Sequence, residues 1–215
     1  MIEEIISAYI DYIREHGENP KSLFAFAKSL QLEEKELYPY FTSFEGLENI
    51  IWATKIQNTI TNCQNDSVYE NYSVREKYLS FVFSFFQELL SERSFFVQNW
   101  NKLAKPSLGV PESLKGAKDI YHSFVQQLMD EAIESQEVKA RKYLDKKYAE
   151  GLWLQFMLIL QFWVKDSSPN FEKTDEFIEK SIQASFELLG VTAFDSLVDL
   201  GKFLFQNKSI MNFKK

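Results

Sequence analysis

GENPKSLFAFAKSLQLEEKELYPYFTSFEGLENII, residues 17–51, holds the boundaries of four helices in a short space. Gly17 closes an amphipathic first helix running from Ile2 to about His16, glycine being the residue that most readily takes a left-handed helix end. Pro20 and Lys21 open a second helix through Leu30, proline being tolerated in a first helical turn where its missing N–H is not needed. Glu33 to Tyr40 predicts a third, very short helix, in which Leu37 and Phe41, four apart, face one core. Ser43 has the character of an N-cap, with Glu45 two residues on, for a helix passing through Trp52 to about Cys63. Three short helices followed by a longer one is the outline of a small helix-turn-helix domain.

Beyond it the helical period continues. NCQNDSVYENYS, residues 62–73, is polar and reads as a loop between two domains, placed at 1–55 and 65–215. In VREKYLSFVFSFFQELLSE, residues 74–92, Tyr78, Phe81, Phe85 and Leu89 form one apolar stripe, which Val82, Phe86 and Leu90 widen. Further helices are predicted at about 95–103, 113–135, 140–165, 171–189 and 192–207, with a Pro- and Gly-bearing loop at 105–116. No segment alternates apolar with polar long enough for a strand, so the fold class is all-α.

Composition narrows the function classes. The 215 residues include 20 Phe, enough ring surface for an ample core, and the single Cys63 suits a reducing, cytoplasmic setting. LWLQFMLILQFWV, residues 152–164, holds two glutamines and is too short for a membrane span of about 20 residues. His16 and His122 belong to different domains, and no His, Cys, Asp or Glu cluster has metal-ligand spacing. His16 suits the C-terminal end of the first helix dipole, whereas His122 faces either the core or a pocket. With no Gly-rich phosphate loop and no nucleophile elbow, neither an enzyme nor a cofactor is expected. The net charge is −7; residues 1–55 hold five basic and ten acidic side chains, a balance of −5, which leaves −2 for the rest.

The 17–51 stretch resembles the DNA-binding domain of TetR-family transcriptional regulators. In that family a glycine ends the first helix, a Gly-Val-Ser turn precedes the third, and a Thr-Leu-Tyr-x-Tyr/His-Phe run is followed by Ser-Lys-Glu-x-Leu. Gly17, Ala27, Leu32, Leu37, Tyr38, Tyr40, Phe41, Ser43, Glu45 and Leu47 fall in register with it. A second resemblance lies in residues 152–190. Trp163, Asp166 and Ser167 match a Trp-x-x-Asp-x-Ser-like corner, and Glu172, Thr174 and Asp175 match the start of the final amphipathic helix.

The resemblance implies a small helix-turn-helix domain followed by a larger helical domain for ligand binding and dimerisation, acting as a homodimeric regulator of the repressor type. It implies DNA contacts from Lys21, Ser22, Lys35, Tyr38, Tyr40 and Ser43. It also implies a pocket for a small hydrophobic or lipid-like effector, assigned to Phe85, Trp100, His122, Phe124, Met129, Trp153 and Phe156. The dimer contact is assigned to the helices carrying Trp163, Phe177, Ile178, Ser181, Ile182 and Ser185.

The departures from the family pattern share one sign. Gln31 replaces the turn glycine, Glu33 the N-cap serine, Glu36 the base-proximal threonine and Phe44 the lysine after Ser43, while Glu34 stands at a basic or small position. Carboxylates there repel a backbone carrying one charge per about 1.7 Å of duplex, so DNA binding is expected to be weak. An alternative keeps the fold and discards the DNA, leaving a binding module for a lipid, small molecule or protein. Phe24 and Phe44 either lie beneath neighbouring loops or form a protein-facing patch.

Overall fold

The computed structural model describes residues 1–103, 110–138 and 145–190, and the predicted helix at 192–207 lies outside them. Helix α1, Ile2–His16, turns Ile5, Tyr9 and Ile13 inward and ends at Gly17, whose φ of 78° lets its N–H reach the Ile13 carbonyl at 2.9 Å. Helix α2, Leu23–Ser29, starts later than Pro20 and Lys21 suggest, because the Ser22 hydroxyl accepts the Ala25 N–H at 3.1 Å and so sets the N-cap.

Gln31 has a left-handed backbone, with φ of 60°. That conformation crowds Cβ against the carbonyl and costs roughly 1–2 kcal/mol in a residue with a side chain. Gln31→Gly is expected to stabilise the protein by about 1 kcal/mol, raising the melting temperature by roughly 2–4 °C in a scanning calorimeter. A lower melting temperature would mean that the glutamine side chain makes contacts worth more than the strain.

The third helix predicted over Glu33–Tyr40 is a single 3-10 turn, Glu34–Glu36, followed by further turns. The Glu36 carboxylate accepts the Glu33 N–H at 2.7 Å, which holds the first turn. Pro39 then supplies no N–H and biases Tyr38 away from the α conformation. Leu37 and Phe41 are buried as expected and pin the turn to the core.

Helix α3, Phe44–Gln64, is N-capped by Ser43, whose hydroxyl accepts the Gly46 N–H at 3.1 Å. It runs unbroken across the predicted domain boundary. Its later turns pack on α4, Val74–Leu89, and on α6, Lys115–Glu134. Helix α4 also contacts α8, Glu172–Gly190, while α7, Asp145–Lys165, lies against both α6 and α8. Helix α5, Arg93–Leu103, bridges α1 and α7. No helix among the described residues is long and apolar enough to cross a membrane.

The corner after α7 shows why Trp163, Asp166 and Thr174 sit where they do. Arg93 donates to the carbonyls of Trp163, Val164 and Asp166 at 3.1–3.3 Å and lies over the rings of Trp163 and Phe171. It thereby satisfies the carbonyls that a helix C-terminus leaves open. The Asp166 carboxylate accepts from the backbone and hydroxyl of both Ser168 and Thr174, at 2.6–3.0 Å. The serine bonded to Asp166 is thus Ser168, where the Trp-x-x-Asp-x-Ser spacing counted from Trp163 falls, and not the Ser167 assigned to it. Burial alone would raise the Asp166 pKa, but the Thr174 and Ser168 hydrogen bonds outweigh it and hold the group at about 2. Its contribution to stability is therefore present above the unfolded carboxylate value and is lost as the pH falls toward 2.

Candidate functional site

At the N-terminal end, Lys21 is exposed, and the hydroxyls of Ser22 and Ser43 serve as N-caps at the surface. Tyr38 and Tyr40 point outward, as their spacing predicts. The polar groups around them are turned on one another. The Lys35 ammonium pairs with the Glu33 carboxylate, and the Glu34 carboxylate beside the Tyr38 hydroxyl raises its pKa. Of the two phenylalanines with open assignments, Phe44 stacks on Tyr9 at 5.4 Å between ring centroids and belongs to the core, whereas Phe24 is 61% exposed.

In the body, α4, α6 and α7 converge on a cluster of rings. Phe81 lies at its middle, with Phe124 at 4.9 Å, Phe156 at 5.9 Å and Phe85 at 6.2 Å between centroids. Trp153 closes one side against Tyr121 at 5.2 Å, and Met129 is buried. Phe85, Phe124, Met129, Trp153 and Phe156, assigned to the effector pocket, are thus brought together among the buried residues of this region, with the rings at ordinary packing separations. Phe124 alone of the predicted set borders the described cleft between α3 and α6, of about 390 Å³, which also takes in Gln57, Gln64 and Gln127. Trp100 is not part of the cluster: its indole N–H donates to Gln161 on α7 at 3.0 Å. His122 flanks it, 6.3 Å from the Trp153 ring and 3.9 Å from the Glu150 carboxylate, and burial lowers its pKa.

Sequence reasoning places Tyr78 in an apolar stripe and misses the polar role it shares with Tyr121. Their hydroxyls meet at 2.7 Å inside the cluster, and Tyr78 also reaches the Leu152 carbonyl at 3.4 Å. Burial drives both phenols well above the usual tyrosine range, so both stay protonated. They form a neutral hydrogen-bonding pair in apolar surroundings.

The residues assigned to the dimer contact on α7 and α8 divide between the core and the surface. Trp163, Ile178 and Ile182 are buried in the protomer's own core. Phe162, the neighbour of Trp163, is the one turned outward. Leu154, 62% exposed, Leu158, 54% exposed, and Phe162 follow at four-residue intervals along α7. Phe177 on α8 stacks against Phe162 at 4.9 Å, with Ser181 and Ser185 half-buried farther along the helix. Leu158, Phe162 and Phe177 rim an open depression of about 510 Å³.

Residues 77–204 match the family described as tetracyclin repressor-like, C-terminal domain. No curated protein matches the sequence. Among solved structures, the transcriptional regulator FadR from Bacillus subtilis in complex with stearoyl-CoA is similar, at 20% identity and a TM-score of 0.61, over 89% of this chain and 100% of that one. The fatty acid degradation regulator FadR from Bacillus halodurans aligns at 16% identity and a TM-score of 0.61, over 89% and 99%. The TetR-family regulator PfmR from Thermus thermophilus aligns at 14% identity and 0.51, over 83% and 97%.

Proposed function

This chain belongs to the tetracyclin repressor-like (TetR) family, and from that premise we propose that it is a transcriptional repressor acting as a homodimer and released from DNA by a small hydrophobic or lipid-like effector. The observation that carries the effector assignment is the ring cluster between α4, α6 and α7, with its internal Tyr78–Tyr121 hydroxyl pair, inside the family-matched segment. A chain of methylenes separating Phe81, Phe124 and Phe156 would keep those rings in apolar contact, while the hydroxyl pair supplies a donor for a carbonyl. Displacing the rings moves α6 against α3, the helix that also enters the N-terminal region.

Stearoyl-CoA and stearate are suitable probes, the first because Bacillus subtilis FadR was solved with it. A ligand at about 100 times its Kd adds roughly 2.7 kcal/mol of stability. In a protein of this size that raises the melting temperature by roughly 5–10 °C. Tyr121→Phe should reduce the shift without abolishing it. Flat melting curves across acyl chains of every length would sink the effector assignment.

The acidic turn favours a second reading. With Glu33, Glu34 and Glu36 where phosphate would lie, and one 3-10 turn in place of a helix, the chain also fits a module of the same fold that binds a lipid, small molecule or protein and no DNA. The two readings part on the DNA-binding result expected below.

A further inference from the structure

Glu48 belongs by sequence to the acidic N-terminal region, yet it is buried, in the first turns of α3. Its carboxylate accepts the Tyr9 hydroxyl of α1 at 2.9 Å and the hydroxyl of Ser113, from the short turn before α6, at 3.2 Å. The Lys102 ammonium, in the last turn of α5, lies 3.7 Å from the same carboxylate. Lys102 also donates to the Asn19 side chain in the segment joining α1 and α2, and the Tyr9 hydroxyl stands 3.2 Å from that same Asn19 oxygen. Four segments thus meet at one buried charge, and Asn19 joins them through Tyr9 and Lys102. Burial, reinforced by the Glu48 charge, pushes the Tyr9 phenol far above its usual pKa, so it remains a donor to the carboxylate.

Lys102 brings a cation to Glu48 in this junction, and its helix occupies a particular place. On the same helix, Phe95 packs edge-on against Tyr9 at 6.1 Å, Asn99 accepts the Trp52 indole N–H of α3 at 2.8 Å, and Trp100 is tied to Gln161 of α7. Helix α5 is therefore fastened to the body at one side and to α1 at the other, with Lys102 at its end reaching both Glu48 and Asn19.

We propose that Lys102 is a positioning residue that locks the N-terminal helices onto the helical body, by pairing with the buried Glu48 and bonding to Asn19. Movement of α5 against α7 then passes to α1 through a charged contact. A buried carboxylate tolerates loss of its cation poorly, so the contact holds the two parts in one arrangement. The proposal rests on the regulator reading only for the purpose of such movement, since the lock itself involves neither DNA nor effector.

Hydrogen exchange measured by mass spectrometry on the full-length protein tests it. Lys102→Met keeps the aliphatic stem and removes the ammonium; it should speed exchange in residues 10–22 at least about tenfold while the α4 amides keep their protection. Lys102→Arg should restore near-natural protection. The double variant Glu48→Gln, Lys102→Met leaves no unpaired buried charge, so its overall melting temperature should recover while residues 10–22 still exchange fast. Unchanged exchange of residues 10–22 in Lys102→Met overturns the proposal. So does acceleration spread equally over α4 and α7, or a double variant whose N-terminal protection returns to the natural level. Failure of DNA binding or of acyl binding in separate assays leaves every one of these outcomes readable.

Discussion

Replacing three carboxylates in the short turn, as Glu33→Ser, Glu34→Lys, Glu36→Thr, is expected to tighten DNA binding about 100-fold at low salt, measured by fluorescence anisotropy with fragments from around the protein's own gene. The natural turn sets three negative charges against one lysine, and that lysine is already paired with Glu33. The variant turns this into two lysines with no carboxylate. In a dimer it adds two phosphate contacts, which should steepen the dependence of log affinity on log salt by roughly two units. The serine introduced by Glu33→Ser can take over as N-cap, so the loss of the Glu36 bond to the Glu33 N–H need not undo the turn.

The tyrosines refine this expectation. In the natural protein the Tyr38 hydroxyl is engaged by Glu34, so Tyr38→Phe should change DNA binding little. In the triple variant the hydroxyl is released toward phosphate, and Tyr38→Phe should then weaken binding by about tenfold, the scale of a hydrogen bond to a charged group. Sequence-specific binding by the natural protein at physiological salt supports the repressor. If the natural protein binds nothing and the variant binds every sequence alike, the DNA reading fails and the module reading stands.

The second large effect concerns the α7 face. Leu158→Glu or Phe162→Glu should convert the protein to a folded monomer, weakening self-association more than about 1,000-fold, or roughly 4 kcal/mol, by sedimentation equilibrium. Each substitution acts twice across a two-fold axis and places carboxylates against their own copies in an apolar contact. Leu154, Leu158 and Leu188 are too exposed to contribute to the protomer's own core, so the monomer should keep its helical content. Trp163→Ala is the contrasting case. It empties a buried ring site beside Arg93 and Phe86, and should cost about 3–5 kcal/mol of fold stability. A natural protein that stays monomeric at micromolar concentration, or a dimer indifferent to Leu158→Glu, would remove this face from consideration.

What the chain made legible was local. Gly17 and Ser43 act on backbone groups within four residues, so their roles could be read from neighbours in sequence; the Ser22 cap and the Ser73–Glu76 capping box, equally local, went unread. The Trp163, Asp166 and Thr174 pattern was equally compact. Its residues all belong to one corner, and only the serine was assigned one position too early. The short turn at Glu34–Glu36 was harder, because Leu37 and Phe41 have helical spacing whether or not the backbone between them closes α-helical bonds. Pro39 and the Glu36 cap decide otherwise.

Tertiary structure decided the matters that depend on direction. Helix α7 is apolar on nearly every side, so a 3.6-residue period cannot say whether Phe162 or Trp163 faces out; packing against α6, α8 and Arg93 settles it. The same limit governs the rings of the body, where composition supplied the aromatic surface but only their mutual geometry showed a cluster around a buried hydroxyl pair. Glu48 is the clearest instance. By sequence it is one more acidic residue in an acidic segment, and its burial depends on Tyr9, Lys102 and Ser113, residues whose convergence no local pattern encodes.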